Sequence, residues 1–327
     1  MKNIVIIGGG TGTSTLLEGL KKYPAKLSVI VSTADDGGSN ARIRKDFNII
    51  PPSDIRQCLL ALSSASTDLK NLFSFRFARG ELRGHTAGNI VFAAFYEIYG
   101  NIERALLATA ELLKVQGDVI PVTTKATVLS AIYENSRKVV GEHNIDEVPV
   151  KDKAFRIKDV SLKPSGPANP RALLALKSAD VIIFGPGDIY TSTIPNLLVK
   201  GIAQAINKSS AKKIVISNIM TKHGQSNGFK ASDFVKAVSR YLGNSKIDIA
   251  LINAKKPGAL QLLTYKKHKS SFVEPNKQEI ERLGTKVIAA NLLSNGTFAK
   301  SKADILQRSF LRHDANKTAK IIWELIN

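Results

Sequence analysis

The sequence predicts an α/β protein: a doubly wound, mostly parallel sheet that carries a small antiparallel β insertion. Three observations lead there. Short β-branched runs alternate with amphipathic stretches along the chain, the pattern of strands joined by crossover helices. Two of those runs break into glycine-rich turns just before a helix, at "GGGTGT" and "FGPGDIYTST". Between about Asp118 and Leu162, residues alternate in twos, which marks antiparallel strands.

In chain order, "NIVII" (Asn3–Ile7) reads as the first strand, stopped by Gly8, Gly9 and Gly10. "TSTLLEGLKKY" follows as a helix, with Thr13 or Ser14 placed to cap it. "LSVIVS" (Leu27–Ser32) is the second strand. "DLKNLFSFRFARG", "AGNIVFAAFYEIYG" and "NIERALLATAELLKV" form a helical block through about Val115, with apolar residues three and four apart. The insertion is expected over about 118–165, closed by the loop "PSGPANP". After "RALLALKSA" the crossover pattern resumes with "DVIIFGPG", "KKIVISNIM", "KIDIALIN" and "KVIAANLL". The last helix, "NKTAKIIWELI", is amphipathic and offers Trp323 to the core or to an interface. Residues 1–327 read as one domain.

Composition narrows the function classes. Hydrophobic residues at 43% and charged residues at 23% are ordinary for a globular protein. A single cysteine, Cys58, excludes an intramolecular disulfide and a cysteine-cluster metal site, and it suits a reducing compartment. The apolar run of "MKNIVIIGGG" is too short for a signal segment, and no run is long enough to cross a bilayer. A cytoplasmic protein without membrane insertion is therefore expected. The formal net charge is +20, and 14 of those charges fall in residues 201–327, where 22 Lys and Arg face 8 Asp and Glu. These lysines are dispersed, without an arginine-rich tract or interleaved aromatics, so a solvated basic surface is expected and no nucleic-acid partner.

Five stretches can carry chemistry. In "GGGTGT", Gly9, Gly10, Thr11 and Gly12 allow a tight turn whose amides approach an anion at a helix N-terminus. The third glycine of a dinucleotide fingerprint would fall at Thr13, and the Lys-Ser/Thr of a phosphate-binding P-loop is missing. A plain strand-to-helix turn is the bland alternative. Asp35 and Asp36 stand at the end of the second strand, where an acidic residue can take ribose hydroxyls. The pair is also the candidate Mg²⁺ site, against a simple turn or cap; no other cofactor is indicated. Asp54, in "PPSDIRQC", reads as a first-turn charge rather than a ligand. "GHTAGN" offers His85 and Asn89 at a helix start. Gly185, Gly187, Asp188, Tyr190, Thr191 and Ser192 set glycine amides and hydroxyls before a helix dipole, the environment a diphosphate seeks. In "SNIMTKHGQSNGF", Asn218, Thr221 and Gln225 extend the same rim, with His223 as a proton-transfer candidate. No nucleophile–His–acid triad is legible.

Seven ordered motifs, "IGGGTGTSTLLEGL", "VIVSTADDGGS", "PPSDIRQCLLAL", "GHTAGN", "GPANPRAL", "FGPGDIYTSTIPNLLVKGI" and "NIMTKHGQSNGFKASDFV", closely resemble the YvcK-type gluconeogenesis factors. These share a superfamily with CofD, the 2-phospho-L-lactate transferase of deazaflavin coenzyme synthesis. The resemblance spans about residues 3 to 235 at motif level and is looser beyond. It implies a Rossmann-like core whose pocket takes UDP-sugars, notably UDP-N-acetylglucosamine, and a link to cell shape and growth on gluconeogenic carbon. By the same likeness, Gly10, Thr11 and Gly12 with Asp35 and Asp36 would sit at the nucleotide and metal end. Asn89 and the 185–192 loop would cradle the ligand. The chain departs from the family's pattern at Asn40-Ala41, where Ser-Gly is usual, and at Ser53, where Gly is usual.

The leading expectation is a non-catalytic nucleotide-sugar binder that acts in cell-shape and cell-wall regulation. The alternative is a Mg-dependent phosphotransferase of CofD type. A homodimer and an unidentified protein partner in cell-wall synthesis are the open associations.

Overall fold

The computed structural model describes residues 1–147, 154–296 and 311–327. Seven strands form the main sheet: β1 (Lys2–Ile7), β2 (Ala25–Val31), β3 (Asp118–Pro121), β7 (Val181–Phe184), β8 (Lys212–Ile216), β9 (Ile249–Asn253) and β10 (Lys286–Ala290). Their spatial order is β10-β9-β8-β7-β1-β2-β3, and every adjacent pair runs parallel. The chain thus winds outward from β1 through β2 to β3, returns to β7 on the other side of β1, and winds outward again. The doubly wound parallel sheet expected from the sequence is present.

A second sheet has three antiparallel strands, β4 (Val128–Tyr133), β5 (Lys138–Val140) and β6 (Ile157–Lys163), with β4 in the middle. The antiparallel pattern was expected from about residue 118, and the difference lies in β3. Asp118–Pro121 pairs parallel with β2, Ser28 opposite Asp118 and Val31 opposite Pro121, so it is the edge strand of the main sheet. A four-residue edge strand bounded by turns has no periodicity to separate it from the hairpin that follows.

Both faces of the main sheet are covered, which is why its strands are continuously apolar rather than alternating. In β1, Ile4 and Ile6 enter one core layer while Val5 and Ile7 enter the other. The helix Gly10–Leu20 buries Leu16, Leu17 and Leu20 and packs against helices Pro52–Leu62 and Ala315–Ile326. Its start differs from expectation: it begins at Gly10 and has no side-chain cap. Thr13 instead hydrogen-bonds the Pro186 carbonyl at 3.3 Å, and Ser14 bonds back to Thr11. Trp323 is half-buried on the last helix and stacks on Tyr23, ring centroids 5.2 Å apart.

Gly19 is where the first and last helices touch most closely. A Cβ there would collide with the Ala315 carbonyl and the Ala319 side chain. Overpacking of this kind costs about 1–3 kcal/mol. Gly19→Ala should therefore lower the melting temperature by several degrees, measured by calorimetry; an unchanged transition would show that this contact is loose.

Candidate functional site

The carboxyl ends of the central strands are level. Ile7 pairs with Ile30 on one side and with Phe184 on the other, so the loops after β1, β2 and β7 leave the sheet side by side. This is the switch point of the winding, where open parallel sheets bind ligands. A cleft of about 1020 Å³ opens there. It is floored by the Gly9–Gly12 and Pro186–Ser192 loops. Helix Pro52–Leu62, loop 76–84, the insertion helix Glu142–Asp146 and the 218–223 loop surround it. Gly12 has no room for a side chain, because the Pro186 carbonyl and the Gly187 amide lie against its Cα. The two glycine loops thus meet backbone to backbone.

The residues singled out in the sequence divide into two groups. Gly9, Gly10, Thr11, Gly12, Asp35, Gly187, Asp188, Thr191, Ser192 and Asn218 all line this cleft, as do Thr221 and His223. Asp36, His85, Asn89, Gly185 and Tyr190 do not. Asp36 turns to the insertion, its Oδ1 accepting from the His143 amide at 2.8 Å. His85 hydrogen-bonds Ser39 through Nδ1 at 2.9 Å, and burial followed by the Arg42 charge lowers its pKa. Asn89 is buried and accepts from Arg56 Nε at 2.9 Å. Gly185 is the buried hinge after β7, its amide bonded to the Ile7 carbonyl at 3.1 Å. Tyr190 packs edge-on against Phe229 inside the core, where burial pushes its phenol up to about 12. Gln225 is also buried, donating to Asp146 at 2.7 Å.

Other residues in the cleft were not legible as site residues. Asp54 is a first-turn charge, as expected, yet it also lines the cleft and stands so close to Gly9 that a side chain there would meet its carboxylate. Arg42, Arg56, Arg76 and Arg83 also line the cleft, and the arginine-dense stretch "RFARGELRG" was a signal for the last two. Glu142 and Asp146 come from the insertion, and Lys222 from the loop after β8. Lys222 is paired to Asp146 and, at 2.6 Å, to Asp188, tying the insertion to the sheet across the cleft. Burial works against its ammonium, but the two carboxylates more than offset this and hold its pKa above the ordinary lysine value. The departures at Asn40-Ala41 and Ser53 leave the fold intact here. The left-handed position is Gly38, with φ +50°, while Ala41 lies inside helix Gly38–Phe47.

The acidic pair does not converge on one point. Asp35 Oδ1 accepts from the Gly37 amide at 2.9 Å, and its Oδ2 accepts from Asn40 Nδ2 at 2.6 Å; Asp36 answers to His143. As arranged, the pair does not fit a shared Mg²⁺. Among the described residues, no group of three His, Cys, Asp or Glu is placed to hold a metal. What the cleft does hold is a crowd of carboxyls. Burial pushes Asp35 up to about 6, helped by Asp36 and Asp146 and opposed by the Gly37 amide. Burial likewise raises Glu142 well above its ordinary value, with Asp35 and Asp146 adding to it.

A raised carboxyl pKa has a defined sign in stability. Protonated Asp35 favours the fold, and that contribution, present below the ordinary carboxylate range, is lost as pH rises through about 6. Asp35→Asn, permanently neutral, should melt higher than the parent near neutral pH and lose that advantage toward about pH 4. A difference that stays constant across the range would overturn this account of the site.

Comparison with known proteins agrees with the fold. Residues 4–293 match the profile of the family described as 2-phospho-L-lactate transferase CofD. A relative from Nostoc sp. is 40% identical over 321 residues, 98% of this chain and 67% of that one. The gluconeogenesis factor of Bacillus subtilis is 37% identical over 99% of this chain and 98% of its own. The crystal structure of a UPF0052-family protein from Bacillus halodurans superposes with a TM-score of 0.90 at 36% identity, covering 98% of each chain. Matched along nearly its whole length in sequence and in architecture, this chain belongs to the CofD family, among relatives named gluconeogenesis factors.

Proposed function

We propose that the cleft binds a nucleotide sugar of the UDP-N-acetylglucosamine class. In this reading the bound state is the signal: it links sugar-nucleotide supply to cell shape and cell-wall synthesis during gluconeogenic growth, through a protein partner in that synthesis. One observation carries the reading. Two glycine loops, each leading into a helical turn, meet at the switch point of the sheet with the hydroxyls of Thr11, Thr191 and Ser192 beside them. Amides at an uncapped helix start and neighbouring hydroxyls suit a diphosphate. The arginines that line the cleft supply positive charge, and the cleft's size is of the order that a nucleotide sugar needs. The name borne by the relatives, gluconeogenesis factor, supports the gluconeogenic part of this setting.

A second reading is a CofD-type transferase, favoured by the family description and by the Asp35, Glu142 and Asp146 carboxyls in the cleft. It requires turnover: release of a nucleoside phosphate from an activated donor in the presence of a divalent cation.

Ligand that binds only the folded chain raises its stability by about 2.7 kcal/mol at a hundredfold excess over Kd. UDP-N-acetylglucosamine should therefore raise the melting temperature and give a saturable calorimetric isotherm, and Gly12→Ala should weaken it by at least about tenfold. If neither UDP-sugars nor other nucleotide sugars bind, the reading fails.

A further inference from the structure

A line of side chains runs from Arg56 to Asp35, both of which line the cleft. Arg56 donates from Nε to Asn89 Oδ1 at 2.9 Å. Asn89 donates from Nδ2 to Ser53 Oγ at 3.0 Å. Ser53 donates its hydroxyl to Asn40 Oδ1 at 2.8 Å. Asn40 donates from Nδ2 to Asp35 Oδ2 at 2.6 Å. Asn40 and Asn89 are each 1% exposed, so solvent does not compete for their amides.

The sense of this chain is fixed by its ends. A guanidinium only donates and a carboxylate only accepts, so each amide and hydroxyl between them must accept from one side and donate to the other. Four hydrogen bonds therefore point the same way, from the cation to the anion. Bonds aligned in this manner polarise one another, and they do so more strongly away from water. Two branches brace the line. Asn89 Nδ2 also reaches Ser39 Oγ at 3.2 Å, and the Ser53 amide supports Asn40 Oδ1 at 3.2 Å. The middle of the line is made by Asn40 and Ser53, which lie 13 positions apart on consecutive helices.

We propose that Asn40 and Ser53 are positioning residues: they hold Arg56 and Asp35 in one mutual orientation and make each sensitive to the other's charge. The proposal rests on the reading of the cleft as a binding site only in treating its two ends as ligand groups. Its physical content is a coupling between positions 35 and 56 that passes through position 53. An anion settling on Arg56 would weaken the pull transmitted to Asp35, so the two sides of the cleft would respond to ligand together.

Ser53 and Asn40 also line the cleft, so a loss of ligand affinity on mutation would not separate positioning from direct contact. The test perturbs one end and reads the other in the full-length, ligand-free chain. The Arg56 Nε–H resonance is followed by ¹⁵N NMR together with its exchange with water. Asp35→Asn should displace that resonance and speed its exchange severalfold. Ser53→Ala, which removes no bond from either end, should displace it as well, and adding Asp35→Asn to Ser53→Ala should then move it no further. Ser53→Thr, which keeps the hydroxyl, should restore the response to Asp35→Asn. Equal displacement by Asp35→Asn with and without the Ser53 hydroxyl would mean that the coupling acts through space, and no displacement at all would mean that there is none; either overturns the proposal. If Ser53→Ala does not fold, Asn40→Ser breaks the line at the next link and is judged by the same criterion. Titration with UDP-N-acetylglucosamine is kept apart, since failure to bind would remove the proposed ligand and leave the coupling measured.

Discussion

The site depends on the pairing of β1 on both of its edges. Because Ile7 is level with Ile30 and with Phe184, three loops leave the sheet at one height, and the chain's reversal of direction at β1 keeps any crossover helix from filling the gap between them. A slip of one residue in either ladder would turn Ile7 from one core layer to the other and carry the glycine turn with it. The apolar residues of β1 therefore do two things at once. They fill both layers of the core, and they set the height at which the cleft begins.

The cleft mixes charges that a stable core would keep apart. Asp35, Glu142 and Asp146 crowd one part of it, with Lys222 paired to Asp146 as a counter-charge. Such a cluster opposes folding near neutral pH, and it persists because the surrounding sheet and insertion hold it in place. This is the usual relation between stability and function, in which groups poised to meet a ligand are imperfectly satisfied without one.

Much of this was readable from the sequence, and what was not has physical causes. Glycine loops and hydroxyls at strand ends announce themselves locally, and Gly10, Gly12, Gly187, Thr191 and Ser192, singled out on that ground, line the cleft. Alternate residues of an extended segment face opposite ways, which is how Asp35 lines the cleft and its neighbour Asp36 does not. Asn89 read as a binding residue because a polar side chain at a helix start is commonly one; its partner, Arg56, is 33 positions away and gave no local sign. Glu142 and Lys222 were hidden for the same reason. The first lies in an insertion whose pattern speaks only of strands, and the second is one lysine in a lysine-rich half. Distance along the chain, not weak chemistry, concealed them.

The stacking of Tyr23 on Trp323 joins residues separated by nearly the whole polypeptide. The helix that carries the glycine turn, Gly10–Leu20, is packed against the helix that bears Trp323, Ala315–Ile326. The antiparallel sheet and much of the parallel one are built from residues that precede this helix in the chain, so they can form while the first helix still lacks its support. Competence to recognise a small molecule would then wait on a contact between distant parts of the chain, and a protein lacking helix Ala315–Ile326 would be folded in large part yet blind.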